Sequence, residues 1–237
     1  MAEVLLVHGS CHGAWCWHRV LPELAAFGIK ARAIDLPGHG ANPAAGPSLQ
    51  DYAEATLSAL TAPTLLVGHS AGGYAITAAA EADPSRIAGL AYLCAYVPAQ
   101  GKSLAQMRRA GPSQPLAPAI RLSPDRRHFT IDPARTADLF YHDCTAEDRA
   151  LAARRLCPEP VAPQETPLAL GANSQDLPRF YIACSEDRTI PPAYQAHMAQ
   201  GIPATNRFTL VTSHSPFFAA PQETARLIGE ILSRLPA

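Results

Sequence analysis

The chain has 237 residues, 48% hydrophobic and 16% charged, with a formal net charge of −1. That suits one globular α/β domain with a sizeable core, and with no Lys/Arg run it speaks against nucleic acid or an anionic membrane surface as a partner. No basic leader with a cleavage site precedes the first apolar strand, and no apolar run reaches the roughly 20 residues of a membrane span, so neither a signal peptide nor a membrane anchor is expected.

Residues 4–7 read as a buried strand that ends in the loop His8-Gly9-Ser10-Cys11-His12-Gly13-Ala14-Trp15. Residues 16–27 follow as a helix, in which Pro22 needs a first-turn position or a kink. A second strand, 29–34, runs into Asp35-Leu36-Pro37-Gly38-His39-Gly40, and Leu49, Tyr52, Ala53, Leu57 and Leu60 repeat at helical spacing within 48–60. Residues 64–67 make a third strand, the alanine-rich 71–82 a helix, and 87–93 a fourth strand. Near-continuously apolar strands alternating with helices predict a parallel sheet covered on both faces. In such sheets the ligand crevice lies beyond the carboxyl ends of the strands.

Between residues 97 and 178 prolines are frequent and strand-like runs disappear. Residues 134–141 and 145–156 read as short helices, the second with Glu147 and Asp148 in its first turn. The stretch carries Phe129, Leu139, Phe140, Tyr141 and Leu156, too apolar for a linker. It is therefore expected to be an inserted, mainly helical cap (97–178) on a core made of 1–96 and 179–237. Strands return at 179–184 and 207–212, about six in all, and 221–235 closes the chain as an amphipathic helix.

Gly68-His69-Ser70-Ala71-Gly72 joins the third strand to its helix. A serine on so sharp a turn needs small residues two before and two after it, so that neighbouring chain can approach. The turn lifts the hydroxyl above the sheet edge, near the positive end of the helix. Ser70 is thus the candidate nucleophile; the plainer alternative is a serine that only caps a helix.

A serine hydroxyl is a weak nucleophile near neutrality and needs a base, which in turn needs an orienting acid. Of nine histidines, His214 directly follows the last strand, at the edge shared with Ser70. His8, His12, His39 and His69 lie upstream and could line the site, whereas His128, His142 and His197 fall where surface roles are expected. Asp187, just past the strand at 179–184, is the candidate acid. Its neighbour Glu186 is not separable from it by strand-end geometry, and a surface pair with Arg188 is the bland alternative. The backbone amides of Ser10 and Ala71 are candidate donors to a tetrahedral oxyanion, and His12 and Trp15 are candidate pocket-lining residues. This chemistry calls for no cofactor and no metal. The six cysteines show neither a CxxC pair nor a zinc spacing, and read as reduced thiols in a cytoplasmic protein.

Four stretches carry a family signature: His8-Gly9-Ser10-Cys11-His12-Gly13-Ala14-Trp15, Asp35-Leu36-Pro37-Gly38-His39-Gly40, Gly68-His69-Ser70-Ala71-Gly72-Gly73 and Tyr181-Ile182-Ala183-Cys184-Ser185-Glu186-Asp187. With Leu139-Phe140-Tyr141-His142-Asp143-Cys144-Thr145-Ala146-Glu147-Asp148, they resemble the plant methylesterase and hydroxynitrile lyase branch of the α/β-hydrolases. The similarity spans nearly the whole chain and is weakest between residues 101 and 132. The C-H-G-A-W loop is far more specific than G-x-S-x-G alone, and the order Ser70…Asp187…His214 is the one this fold uses.

The resemblance implies an α/β-hydrolase fold with a small helical cap, often a homodimer, and a serine esterase core. The cap's aromatics and few charges suggest small, fairly apolar ester substrates. The resemblance also brings a rival chemistry, cyanohydrin cleavage. Lyases of the branch carry a threonine where this chain has Gly9. Where it has Ser215 they carry a lysine, whose charge serves a departing cyanide. Both departures favour ester hydrolysis. Some relatives act instead as small-molecule receptors, and the intact Ser70, Asp187 and His214 speak against that reading.

Overall fold

The structure is a computed structural model and describes residues 2–236. The first half of the chain forms β1 (Glu3–Val7), α1 (Val20–Ala26), β2 (Ala31–Ile34), α2 (Leu49–Ser58), β3 (Thr64–His69), α3 (Gly72–Ala82) and β4 (Ile87–Leu93). The inserted segment holds α4 (Leu104–Ala110), β5 (Ile120–Leu122), β6 (His128–Ile131), α5 (Pro133–Phe140), α6 (Ala146–Arg155), β7 (Glu159–Pro160), α7 (Val161–Glu165) and α8 (Ala172–Gln175). The chain returns as β8 (Arg179–Cys184), α9 (Pro192–Met198), β9 (Arg207–Leu210), α10 (Pro216–Ala219) and α11 (Pro221–Ser233).

Six strands form one parallel sheet in the order β2-β1-β3-β4-β8-β9. Side chains alternate across a strand, so each strand feeds two cores. Val4, Leu6, Leu65, Val67 and Ile182 face a layer holding Val20 and Leu24 of α1 and Ile228 and Ile231 of α11. Leu5, Val7, Leu66 and Tyr92 face Tyr52 of α2, Ile76 of α3 and Met198 of α9. Both faces being covered, every residue of β1 and β3 is buried, as the apolar runs Val4–Val7 and Leu65–Val67 foretell. No helix among the described residues is long and apolar enough to cross a membrane.

The expected helix at 16–27 divides into a 3-10 turn, Ala14–Trp17, and α1. Pro22 is the third residue of α1, within the first turn, where its missing N–H costs no intrahelical bond. The strand expected at 207–212 ends at Leu210, and the chain then turns away to carry His214.

The inserted segment corrects the reading that strands disappear there. β5, β6 and β7 pair antiparallel as a small sheet. Its strands hold three, four and two residues, too short for a period to register. The two expected helices form as α5 and α6, and Thr145 caps α6 by accepting from the Asp148 amide at 3.2 Å. Leu104, Leu116, Ile131 and Phe140 of this segment roof a cavity over the carboxyl edge of the sheet.

Candidate active site

Ser70 leaves β3 with φ 53°, a left-handed backbone in a non-glycine residue, the strain expected of a residue presented on a sharp turn. Its amide donates to Leu93 O (3.2 Å), and its carbonyl accepts from Gly73 N (3.2 Å) and Tyr96 N (3.1 Å). The flanking glycines allow this closeness. A Cβ at Gly68 would lie 2.6 Å from Gly72 O, and one at Gly72 would lie 2.7 Å from His8 O.

His214 Nδ1 donates to Asp187 Oδ2 at 2.7 Å, and both residues are buried. The carboxylate is fully subscribed. Oδ1 accepts from the amides of Thr189 (2.7 Å) and Ile190 (2.9 Å), and Oδ2 also accepts from Gln195 Nε2 (2.8 Å). This fixes the carboxylate and holds the proton of neutral His214 on Nδ1, leaving Nε2 as the basic nitrogen. Glu186 is exposed, and only its backbone is used, the carbonyl accepting from His142 Nε2 (2.9 Å) and the amide donating to Thr212 O (3.1 Å). Arg188 pairs with Asp138 instead of Asp187. The geometry thus separates Asp187 from Glu186, which strand-end reasoning could not.

Ser70, His214, Ser10, Ala71 and His12 line one small cavity. Among the described residues, the amides of Ser10 and Ala71 donate to no protein acceptor. Trp15 does not line this cavity and corrects the expectation. Its ring stacks behind His12 (centroids 5.5 Å apart, planes at 12°), so it supports the lining from outside.

The peptide after Ser10 is clamped at both ends. His12 Nδ1 donates to Ser10 O at 2.7 Å, and the Cys11 amide donates to Glu159 Oε2 at 2.7 Å. Between them Cys11 adopts φ 62°, again left-handed. Burial pushes the His12 imidazole down to about 4, so it is neutral near pH 7. With its proton on Nδ1, its Nε2 accepts from the Tyr141 hydroxyl at 2.6 Å.

Glu159 is itself held by His39 Nε2 (2.9 Å) and Gln164 Nε2 (2.8 Å), and Gln164 Nε2 also reaches Ser10 Oγ (2.8 Å). Burial alone would raise the Glu159 carboxyl, but the charge and hydrogen bond of His39 outweigh it and leave the group lowered. Burial would lower His39, and Glu159 outweighs that in turn, leaving the imidazole raised. Glu159, Gln164, Tyr141 and Gln195 are site residues that sequence reasoning did not assign, and His39, expected only as a possible lining residue, instead holds Glu159.

The remaining upstream histidines are structural ties. His8 Nδ1 donates to Gly9 O (2.9 Å) and its Nε2 accepts from Leu36 N (3.0 Å). His69, Cys94 and His214 could each offer a ligand atom within 4.8 Å of the others. Two of them, however, point at one main-chain group: His69 Nε2 (2.8 Å) and Cys94 Sγ (3.6 Å) both donate to His214 O. The arrangement reads as support for the His214 loop.

A nucleophile on a strained turn, a base fixed by a carboxylate and two uncommitted amides can carry out acyl transfer. The sequence profile of the alpha/beta hydrolase family matches residues 4–227. Putative methylesterase 11, chloroplastic, from Arabidopsis thaliana is 32% identical across 98% of this chain, which spans 64% of that relative's length. Esterase PIR7B from Oryza sativa subsp. japonica is 28% identical over 97% of this chain and 95% of its own. Among solved structures, a pyrethroid hydrolase from Sphingobium faniae JZ-2 superposes with a TM-score of 0.89, at 26% identity over 98% of both chains.

Proposed function

The chain belongs to the alpha/beta hydrolase family, in its plant methylesterase-like branch, as an esterase-type hydrolase, and we propose that it cleaves small, fairly apolar carboxylic esters through an acyl-enzyme on Ser70. The observation that carries this is the 2.7 Å His214–Asp187 bond beside a cavity that also presents Ser70 and the free Ser10 and Ala71 amides.

In this reading Ser70 Oγ attacks the ester carbonyl while His214 Nε2 takes its proton. Asp187 orients the imidazole and stabilises the imidazolium. The carbonyl oxygen becomes an oxyanion held by the Ser10 and Ala71 amides, aided by the positive end of α3. The tetrahedral intermediate collapses, His214 returns the proton to the departing alcohol, and water clears the acyl group by the same route. Leu104, Leu116, Ile131 and Phe140 give the cavity its apolar character.

Two observations favour hydrolysis over cyanohydrin cleavage. A Cβ at Gly9 would meet Ser70 Cβ at 2.8 Å, so a threonine there does not fit this arrangement. Ser215 is buried and uncharged, where the lyases use a lysine. The six cysteines are all free, which supports a reducing, cytoplasmic setting.

The test is release of nitrophenol from short-chain nitrophenyl esters by wild type and Ser70→Ala, with cyanide release from a cyanohydrin assayed in parallel. Turnover lost in Ser70→Ala supports the proposal. Cyanide release, or saturable ligand binding without turnover, would replace it with the lyase or the receptor reading.

A further inference from the structure

The cavity beside Ser70 is mostly neutral, yet Arg108 of α4 is among its lining residues and is the only lysine or arginine there. Other arginines have partners: Arg19 pairs with Asp148, Arg188 with Asp138, and Arg226 with Glu223. Arg108 is half-buried, and among the described residues its side chain makes neither an ion pair nor a hydrogen bond. Its guanidinium carbon lies 6.0 Å from the centre of the Phe129 ring, a contact that offsets only part of the lost hydration. Burial lowers its pKa, but a guanidinium stays protonated at any pH where this chemistry runs. Shielding such a cation from part of its water carries a cost, which an anion bound beside it would offset. Its planar donor fork matches a carboxylate.

We infer that Arg108 binds a carboxylate on the substrate, so that the preferred esters combine a short apolar body with one free acid. The inference rests on the ester-hydrolase reading above and adds the substrate class. The acid can sit on either side of the scissile bond. Monoesters of dicarboxylic acids carry it in the acyl part, and esters of hydroxy acids carry it in the alcohol part.

The test uses the whole chain and two substrate arms. The first runs from monomethyl succinate to monomethyl adipate. The second runs from 4-acetoxybutyrate to 6-acetoxyhexanoate. Each substrate is paired with a neutral isostere in which an isopropyl group replaces the carboxylate, as methyl 5-methylhexanoate does for monomethyl glutarate. Wild type is expected to favour the acid-bearing member in one arm. Arg108→Leu should lower kcat/KM for that member by about 10- to 100-fold, the worth of a charged hydrogen bond. The loss on the neutral isostere should be at least about tenfold smaller, and a melting curve taken alongside shows that the variant is folded. Arg108→Lys should keep the preference in weakened form, its ammonium lacking the fork.

Equal losses on both members, or no preference for acid in either arm of wild type, would overturn the inference and leave the hydrolase reading standing. Failure of wild type to cleave any ester, nitrophenyl acetate included, would instead overturn the hydrolase reading itself.

Discussion

At residue scale, the site is a set of protons held in place by neighbours that leave no choice. Asp187 receives four donors, of which only one is His214. Asp187→Asn keeps an acceptor for the Thr189 and Ile190 amides but turns an amide N–H toward His214 Nδ1, forcing the imidazole into the other tautomer. The expected result is a fall in kcat of about 10⁴ with little change in thermal stability, read from steady-state kinetics and a melting curve side by side.

Glu159 works one step further from the reacting atoms, by pinning the Cys11 amide and so the loop that presents the Ser10 amide. Glu159→Ala should lower kcat by about 10², the scale of losing one oxyanion donor, while KM moves far less. Glu159→Gln, which keeps an acceptor for Cys11, should recover part of the loss. Equal losses in both variants, tracking the folded fraction by circular dichroism, would make Glu159 merely structural.

The Glu159–His39 pair also predicts a pH dependence. The carboxyl lies below its ordinary 4.5, so its contribution is present above that value and is lost as pH falls through the lowered one. The imidazole lies above its ordinary 6.5, so its contribution is complete below that value and is lost as pH rises through the raised one. Urea unfolding of wild type against His39→Gln, from about pH 6 to about pH 9, should show the wild-type advantage shrinking toward the alkaline end. An advantage that grows with pH would reverse the assignment.

At the scale of elements, the β3–α3 turn is where sequence and structure agree most closely, and the reason is steric. Gly68 and Gly72 are legible because each side chain they lack would strike backbone 2.6–2.7 Å away. Gly72→Ala should therefore destabilise the fold and abolish turnover together, whereas most single methyl additions on a surface helix would do neither. Asp187 and His214 were legible for a related reason: parallel strands deliver the residues just past their carboxyl ends to one edge.

The clamp was not legible. Gln164 meets Ser10 across 154 positions and Glu159 meets Cys11 across 148, and both come from short elements that carry no periodic signal. The α6 start shows a purely local device. Thr145 Oγ accepts from the Asp148 amide, and Asp148 in turn pairs with Arg19 at 2.9 Å just before α1. Thr145→Ala should cost about 1 kcal/mol in urea unfolding and leave kcat/KM for a small ester unchanged.

At the scale of the molecule, the division of labour is between a sheet that places Ser70, Asp187 and His214 at one edge and an inserted segment that roofs the candidate site. The core alone supplies Ser70, Ala71, Asp187, His214 and Ser10. The inserted segment supplies the roof, the Glu159–Gln164 tie to the Ser10 loop, and Tyr141 on His12. In the proposed reading, substrate preference and oxyanion geometry thus meet in one segment, and its sequence is the part that matches the family pattern least. That is why the class of reaction could be read from the chain while Arg108 could not. The account's central claim is a covalent acyl transfer through Ser70. Its most direct measurement is peptide mass spectrometry after exposure of wild type to a dialkyl nitrophenyl phosphate, which a serine hydrolase converts to a stable phosphoryl adduct. The account predicts one adduct, on the peptide containing Ser70, formed as ester turnover is lost and absent from Ser70→Ala. An adduct on another residue, or complete loss of turnover with Ser70 unmodified, would contradict it.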